Sequence, residues 1–197
     1  MKRTIICSLA LLLALTACPE RSLQQAGPAR DMIIAVLAPG AHTMVSAESF
    51  EADDRIGLFV TDYIEETTPM PLQISGNRAT NIGATFDGTA WNTAKTVYWG
   101  SGKSDVYAYY PYNSNYNDIT SIPIDVTQNQ DVMWATPYSG AYNANPTATL
   151  QMTHALSVIR LSLTKGDSSG DGSIESIKIK GACIALTGTL NAKTGAL

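Results

Sequence analysis

The chain has 197 residues, with 13 Lys and Arg against 17 Asp and Glu, a formal net charge of −4 and a pI near 5.1. That balance excludes the basic footprint of a nucleic-acid-binding protein, and the length suits one domain of ordinary size. The two histidines, His42 and His154, stand far apart in sequence. There is no Cys pair, HExxH, GxSxG or glycine-rich phosphate loop, so neither catalysis nor a cofactor is expected.

Lys2 and Arg3 precede an apolar run from Ile5 to Thr16, which ends on Ala17 and Cys18. This is the charged, apolar, small-residue order of a secretory signal peptide covering 1–17. The run is shorter than the roughly 20 residues a membrane-spanning helix needs. Leu15-Thr16-Ala17-Cys18 resembles a bacterial lipobox, which implies lipidation of Cys18 and a membrane anchor. Pro19 follows in place of Asp, so the outer membrane is the expected destination. With Cys7 removed and Cys18 lipidated, Cys183 has no disulfide partner and is expected as a small buried hydrophobe. Residues 18–31 are polar, contain two prolines and read as a tether.

From residue 32 the pattern is β. Met32–Leu37 (MIIAVL) is a short apolar strand bounded by Pro39-Gly40. Arg55–Asp62, Asp105–Tyr110 and Val132–Ala135 follow as strands. Ala155–Leu163 alternates with period two, placing Leu156, Val158 or Ile159, Leu161 and Leu163 inward, and Ile174, Ile177 and Ile179 give another strand. Ile184–Leu186 and Thr189–Leu190 complete the set, and His154 is read as a residue at a strand entrance. No helical period appears beyond the signal peptide. Short strands punctuated by Gly, Asp, Asn and Ser turns predict an all-β, antiparallel sandwich.

Asp167, Ser169, Asp171 and Gly172 imitate the start of a calcium loop, but Lys178 stands where the closing acid belongs, so the segment reads as a hairpin turn. Aromatics crowd between Trp91 and Tyr112. Tyr107 and Tyr109 are expected in the core, because large aromatics serve burial first. Trp91, Trp99, Tyr110 and Tyr112 are the candidates for a surface that stacks on sugar rings, the basis of an alternative reading as a glycan-binding surface lipoprotein.

Four stretches, in order, resemble the fimbrillin family of lipoprotein pilins and pilus-accessory subunits. They are Phe50–Val60 (FEADDRIGLFV), Phe86–Trp91 (FDGTAW) with Val97-Tyr98-Trp99, Asp105–Tyr112 (DVYAYYPY), and His154–Leu161 (HALSVIRL). The resemblance implies a transthyretin-like Greek-key β-sandwich over residues 32–197, a cell-surface structural or adhesive role and no enzymatic activity. It also implies partners: other pilus subunits joined by donor-strand exchange, the outer membrane through the lipid, and a host glycan or protein. In such pilins the first strand is cut away and a neighbour's strand fills its groove. Here the exchangeable strand is Met32, Ile33, Ile34, Ala35, Val36 and Leu37. Two departures stand out. No Arg or Lys lies between Asp31 and Asp54, as expected of a subunit that keeps its first strand. The chain stops at Leu197, where the family continues into a second domain, so that domain is expected to be missing.

Overall fold

The computed structural model describes residues 29–39, 49–65, 67–100, 102–157, 159, 161–164, 166, 173–181 and 184–197. The signal peptide, Cys18, most of the tether, His42, the Asp167–Gly172 turn and Cys183 lie outside them.

The described residues form eleven strands in chain order: β1 (Ile33–Leu37), β2 (Arg55–Ile64), β3 (Thr68–Pro69), β4 (Ala79–Phe86), β5 (Trp91–Thr93), β6 (Ser104–Tyr110), β7 (Ile122–Asp125), β8 (Met133–Ala135), β9 (Tyr138–Ala141), β10 (Thr147–His154) and β11 (Thr187–Leu190). The fold is the all-β sandwich expected from the sequence. One sheet runs β1-β10-β8-β6-β2-β4-β5, with β3 on β2 and β9 on β6, and β7 with β11 makes a second, smaller layer. Pairing is antiparallel except between β1 and β10, which run parallel.

The centre of the large sheet is β2 beside β6, with Leu58 opposite Ala108 and Phe59 opposite Tyr107. Side chains alternate across it. Ile56, Leu58, Val60, Val106 and Ala108 enter one core with Trp99, Leu150 and Met152. Phe59, Tyr107 and Tyr109 enter a second core with Ile122 and Ile124 of β7 and Leu190 of β11. Burial on both faces explains why β2 reads as a nearly continuous apolar run. At Gly57 the strands meet so closely that a Cβ would lie 2.1 Å from the Tyr109 ring, so only glycine fits.

Three strand expectations fail: Ala155–Leu163, the Ile174–Ile179 strand and Ile184–Leu186. Among the described residues of 155–186 there is no strand, and Ile159, Leu161, Leu163, Ile174, Ile177, Ile179, Ile184 and Leu186 are exposed. The ladder runs out first: His154 pairs with Met133, the first residue of three-residue β8, and after Ala155 N, which donates to Val132 O at 2.8 Å, no strand among the described residues is left to join. His154 therefore closes a strand that begins at Thr147, rather than opening one.

Candidate functional site

β1 is built from β-branched and aliphatic residues (IIAVL), a composition that suits a pleated surface. Its register on β10 runs from Ile33 opposite Thr147 to Leu37 opposite Gln151. Met32 and Ile34 point into the first core and Val36 packs against it, while Ile33 and Leu37 are exposed. Of the expected exchangeable strand, Met32, Ile34 and Val36 are therefore the inward set. Ala35 is half-buried.

The chain entering β1 also joins the opposite end of the large sheet, just beyond β5. Met32 N donates to Val97 O at 2.8 Å, and Trp99 N donates to Arg30 O at 3.1 Å. The strand thus lies between β10 and the Val97–Trp99 segment, helping to close the sheet around its core. Side chains pin it at both ends. Arg30 N donates to Asn143 Oδ1 at 2.7 Å, and Gln151 Nε2 donates to Ala38 O at 2.9 Å.

Trp99, a candidate surface aromatic, is a correction: it is 2 % exposed, and its Nε1 donates to Pro146 O at 2.8 Å. A large ring downstream of a short strand fills the closing seam of the sheet and is unavailable to a ligand. Trp91 and Tyr110 are half-buried, and Phe50 sits edge-on to both, with ring centroids 5.0 Å and 5.9 Å away. Phe86 covers Trp91 from the other strand of the hairpin at 5.2 Å. Tyr110 donates its hydroxyl to Asp54 Oδ1 at 3.0 Å; burial first, then that carboxylate, pushes its pKa up to about 12. Tyr112 carries the Arg55 guanidinium at 4.6 Å from its ring centre, a cation–π contact. Trp91, Tyr110 and Tyr112 stay partly accessible but are tied into local packing, and they do not share one open face with Trp99.

Charged side chains meet in structural pairs. Arg78 forks onto Asp62, which also accepts from Ser104, and Arg78 Nη1 donates to Tyr98 O at 3.1 Å. This pairing braces β2 beside the Val97–Trp99 segment. His154 Nδ1 lies 3.0 Å from Asp131 Oδ1 at the end of β10. Among the described residues, no three His, Cys, Asp or Glu side chains converge as a metal site. Nor is any helix among them long and apolar enough to cross a membrane.

The roles of Pro146 and Asn81 were not anticipated from the sequence. Asn81 has φ +46° and accepts from the buried Tyr109 hydroxyl at 2.7 Å, where the β2–β4 register slips between Leu58 and Val60. Asn tolerance of the left-handed region is the only signal that could have marked it.

The sequence model of the family described as fimbrillin-like matches residues 43–197. No curated protein matches the chain. Among solved structures, a crystal structure of a candidate cell adhesion protein from Bacteroides uniformis ATCC 8492 is similar at 19 % identity and a TM-score of 0.46. The similarity covers 64 % of this chain and 47 % of that one, so the chain spans about half the length of that protein. The family match takes in every strand after β1, including the Phe50, Trp91 and Tyr110 contacts, the second core and the part of the first core that the later strands build, and the chain belongs to the fimbrillin-like family.

Proposed function

We propose that this protein, a pilus- or adhesion-type surface protein by its family, is anchored in the outer membrane through lipidated Cys18 and joins an assembly built by strand exchange, with its own β1 filling the slot that a donor strand takes in a polymerising subunit. Acyl chains on Cys18 would hold it there, each buried CH₂ being worth about 0.8 kcal/mol. The observation that carries the exchange reading is the construction of β1. It is five residues long, forms one end of the large sheet, and inserts Met32, Ile34 and Val36 into a core otherwise built by later strands. Withdrawing it would uncover that core and the β10 edge together. An incoming strand could restore both, with main-chain hydrogen bonds for affinity and alternate side chains for register.

The stretch between Asp31 and Asp54 offers no Arg or Lys for a basic-residue protease. In this reading the chain keeps β1 and serves as an anchor or accessory subunit whose own slot stays filled. The test is the N-terminal mass of the mature protein from its own cell surface. A lipidated Cys18 start supports the reading. A start between residues 38 and 49 means β1 is cut away and argues for a polymerising pilin instead. An unlipidated start elsewhere would remove the anchor from the proposal.

A further inference from the structure

Two adjoining hollows lie beside the second core, between the loop after β6 and strand β7. One is lined by Tyr112, Tyr116 and Pro123 among others, and the second, of about 320 Å³, by Tyr116, Pro123, Asp125 and Gln128. Tyr116, Pro123 and Gln130 line both, so the hollows form one cleft. The larger volume lies at the lower end of the roughly 300–1,000 Å³ common for small-ligand sites.

We propose that this cleft binds a neutral saccharide, with a pyranose ring against Tyr116 and its hydroxyls on Gln128, Gln130 and Asp125. The site is distinct from β1 and does not rest on strand exchange. Its aromatic wall is Tyr116. Tyr116 is backed by buried Tyr109, ring centres 6.1 Å apart, which fixes its place. The C–H face of a pyranose is apolar and weakly positive, and it complements the negative face of an aromatic ring. The rim is polar: Gln128 Nε2 donates to Asp125 Oδ2 at 3.3 Å, and the other rim groups are uncommitted. The Gln130 amide and the hydroxyls of Tyr112 and Tyr116 make no hydrogen bond to other described residues. An amide both donates and accepts, as neighbouring sugar hydroxyls require.

Charge narrows the ligand class. Among the described residues, no Lys or Arg lines either hollow. Asp125 accepts from the Thr127 hydroxyl and amide, which hold its carboxyl below the usual carboxylate range and therefore ionised. An acidic sugar, sulfate or phosphate would meet this carboxylate without a compensating cation. A proline-rich peptide would need aromatic slots in series, whereas this cleft passes from aromatic walls to an amide, a carboxylate and Gly188.

The experiment is an amide NMR titration of the purified protein with lactose, maltose, cellobiose and chitobiose, alongside sialyllactose and an oligoproline peptide. At least one neutral disaccharide is expected to shift Tyr116, Gln130 and Gly188 saturably. Gln130→Ala removes an exposed side chain with no structural bond, so it should weaken binding about fivefold, the effect of one lost hydrogen bond, at unchanged thermal stability. A response confined to sialyllactose or to the peptide overturns the proposal. So does the absence of any response in the cleft, or neutral-sugar binding that Gln130→Ala leaves untouched.

Discussion

The Trp99 indole and the Ile33 main-chain amide donate to the same acceptor, the Pro146 carbonyl, at 2.8 Å and 2.9 Å. A carbonyl oxygen has two lone pairs, and here both are used. One bond opens the parallel ladder of β1 on β10. The other fixes the ring that fills the seam beneath it. The placement of β1 and the burial of Trp99 therefore share one atom, which gives the first strand a defined starting register.

Trp99→Phe removes the indole donor and three side-chain heavy atoms but leaves an aromatic ring in the seam. Its expected cost is about 2–3 kcal/mol, one hydrogen bond plus a small cavity. Hydrogen exchange at the Ile33 amide should rise, since its acceptor is no longer held from the other side. Trp99→Ala also empties the seam and should cost about 3–5 kcal/mol in denaturant unfolding. Unchanged Ile33 exchange in the Phe variant would show that the shared carbonyl does not couple the two.

The alternation of β1 allows a paired test. Ile34 is 6 % exposed and Ile33 53 % exposed, though they are neighbours. Ile34→Asp places a carboxylate in an apolar core with no cation beside it, a loss of several kcal/mol unless the strand leaves. Ile33→Asp changes an outward position and should stay within about 0.5 kcal/mol of the parent. If β1 is a separable unit, Ile34→Asp abolishes amide protection over residues 32–37 while β2 and β6 keep theirs. Global unfolding of that variant would refute separability and remove the structural basis for strand exchange.

The strands legible in the sequence are those whose residues announce burial on their own. β1 and β6 are dense in branched and aromatic side chains, and both lie where the pattern places them. β4 was invisible because Ala79, Asn81, Gly83 and Ala84 are small: this strand approaches its neighbours closely rather than filling space. β10 was hidden because Thr147, Thr149, Gln151 and Thr153 interleave with the buried Ala148, Leu150 and Met152, diluting the apolar signal. Ala155–Leu163 alternates well, yet a period describes only which face would be buried and supplies no edge to pair with. Likewise, aromatic crowding flagged Trp91–Tyr112 but could not separate Trp99, in the seam, from Tyr112, beneath Arg55.

Gly57 and Tyr109 form a steric pair across β2 and β6. Gly57→Ala drives a Cβ into the Tyr109 ring, at 2.1 Å from Cε1 and 2.4 Å from Cζ. The ring cannot retreat easily, because its hydroxyl is bonded to Asn81 Oδ1 at 2.7 Å and to Asn113 O at 3.0 Å. A loss of about 3 kcal/mol or more is expected, at the upper end of overpacking costs. In a Tyr109→Leu background the same change should cost at least about 1 kcal/mol less, since contacting residues are not additive. Equal costs in both backgrounds would place the strain elsewhere.

Alkaline pH should unfold the domain through the same tyrosine and its neighbour. Burial pushes the Tyr109 hydroxyl up to about 12 from its ordinary 10.0, and burial with the Asp54 carboxylate raises Tyr110 to about 12 as well. Both side chains are neutral in the folded protein at a pH where the unfolded chain has begun to lose their protons. The stability linked to them is fully present below pH 10, falls as pH rises from about 10 toward 12, and is lost above the folded-state value. Absorbance at the tyrosinate band should show a late fraction that titrates together with loss of near-ultraviolet circular dichroism. In Tyr110→Phe, removing one of the two raised groups should make the fall between pH 10 and 12 shallower. Stability at neutral pH should drop by about 1 kcal/mol for the lost bond to Asp54. An unchanged slope in that variant would mean that Tyr110 ionises as freely folded as unfolded, and that its bond to Asp54 does not hold in solution.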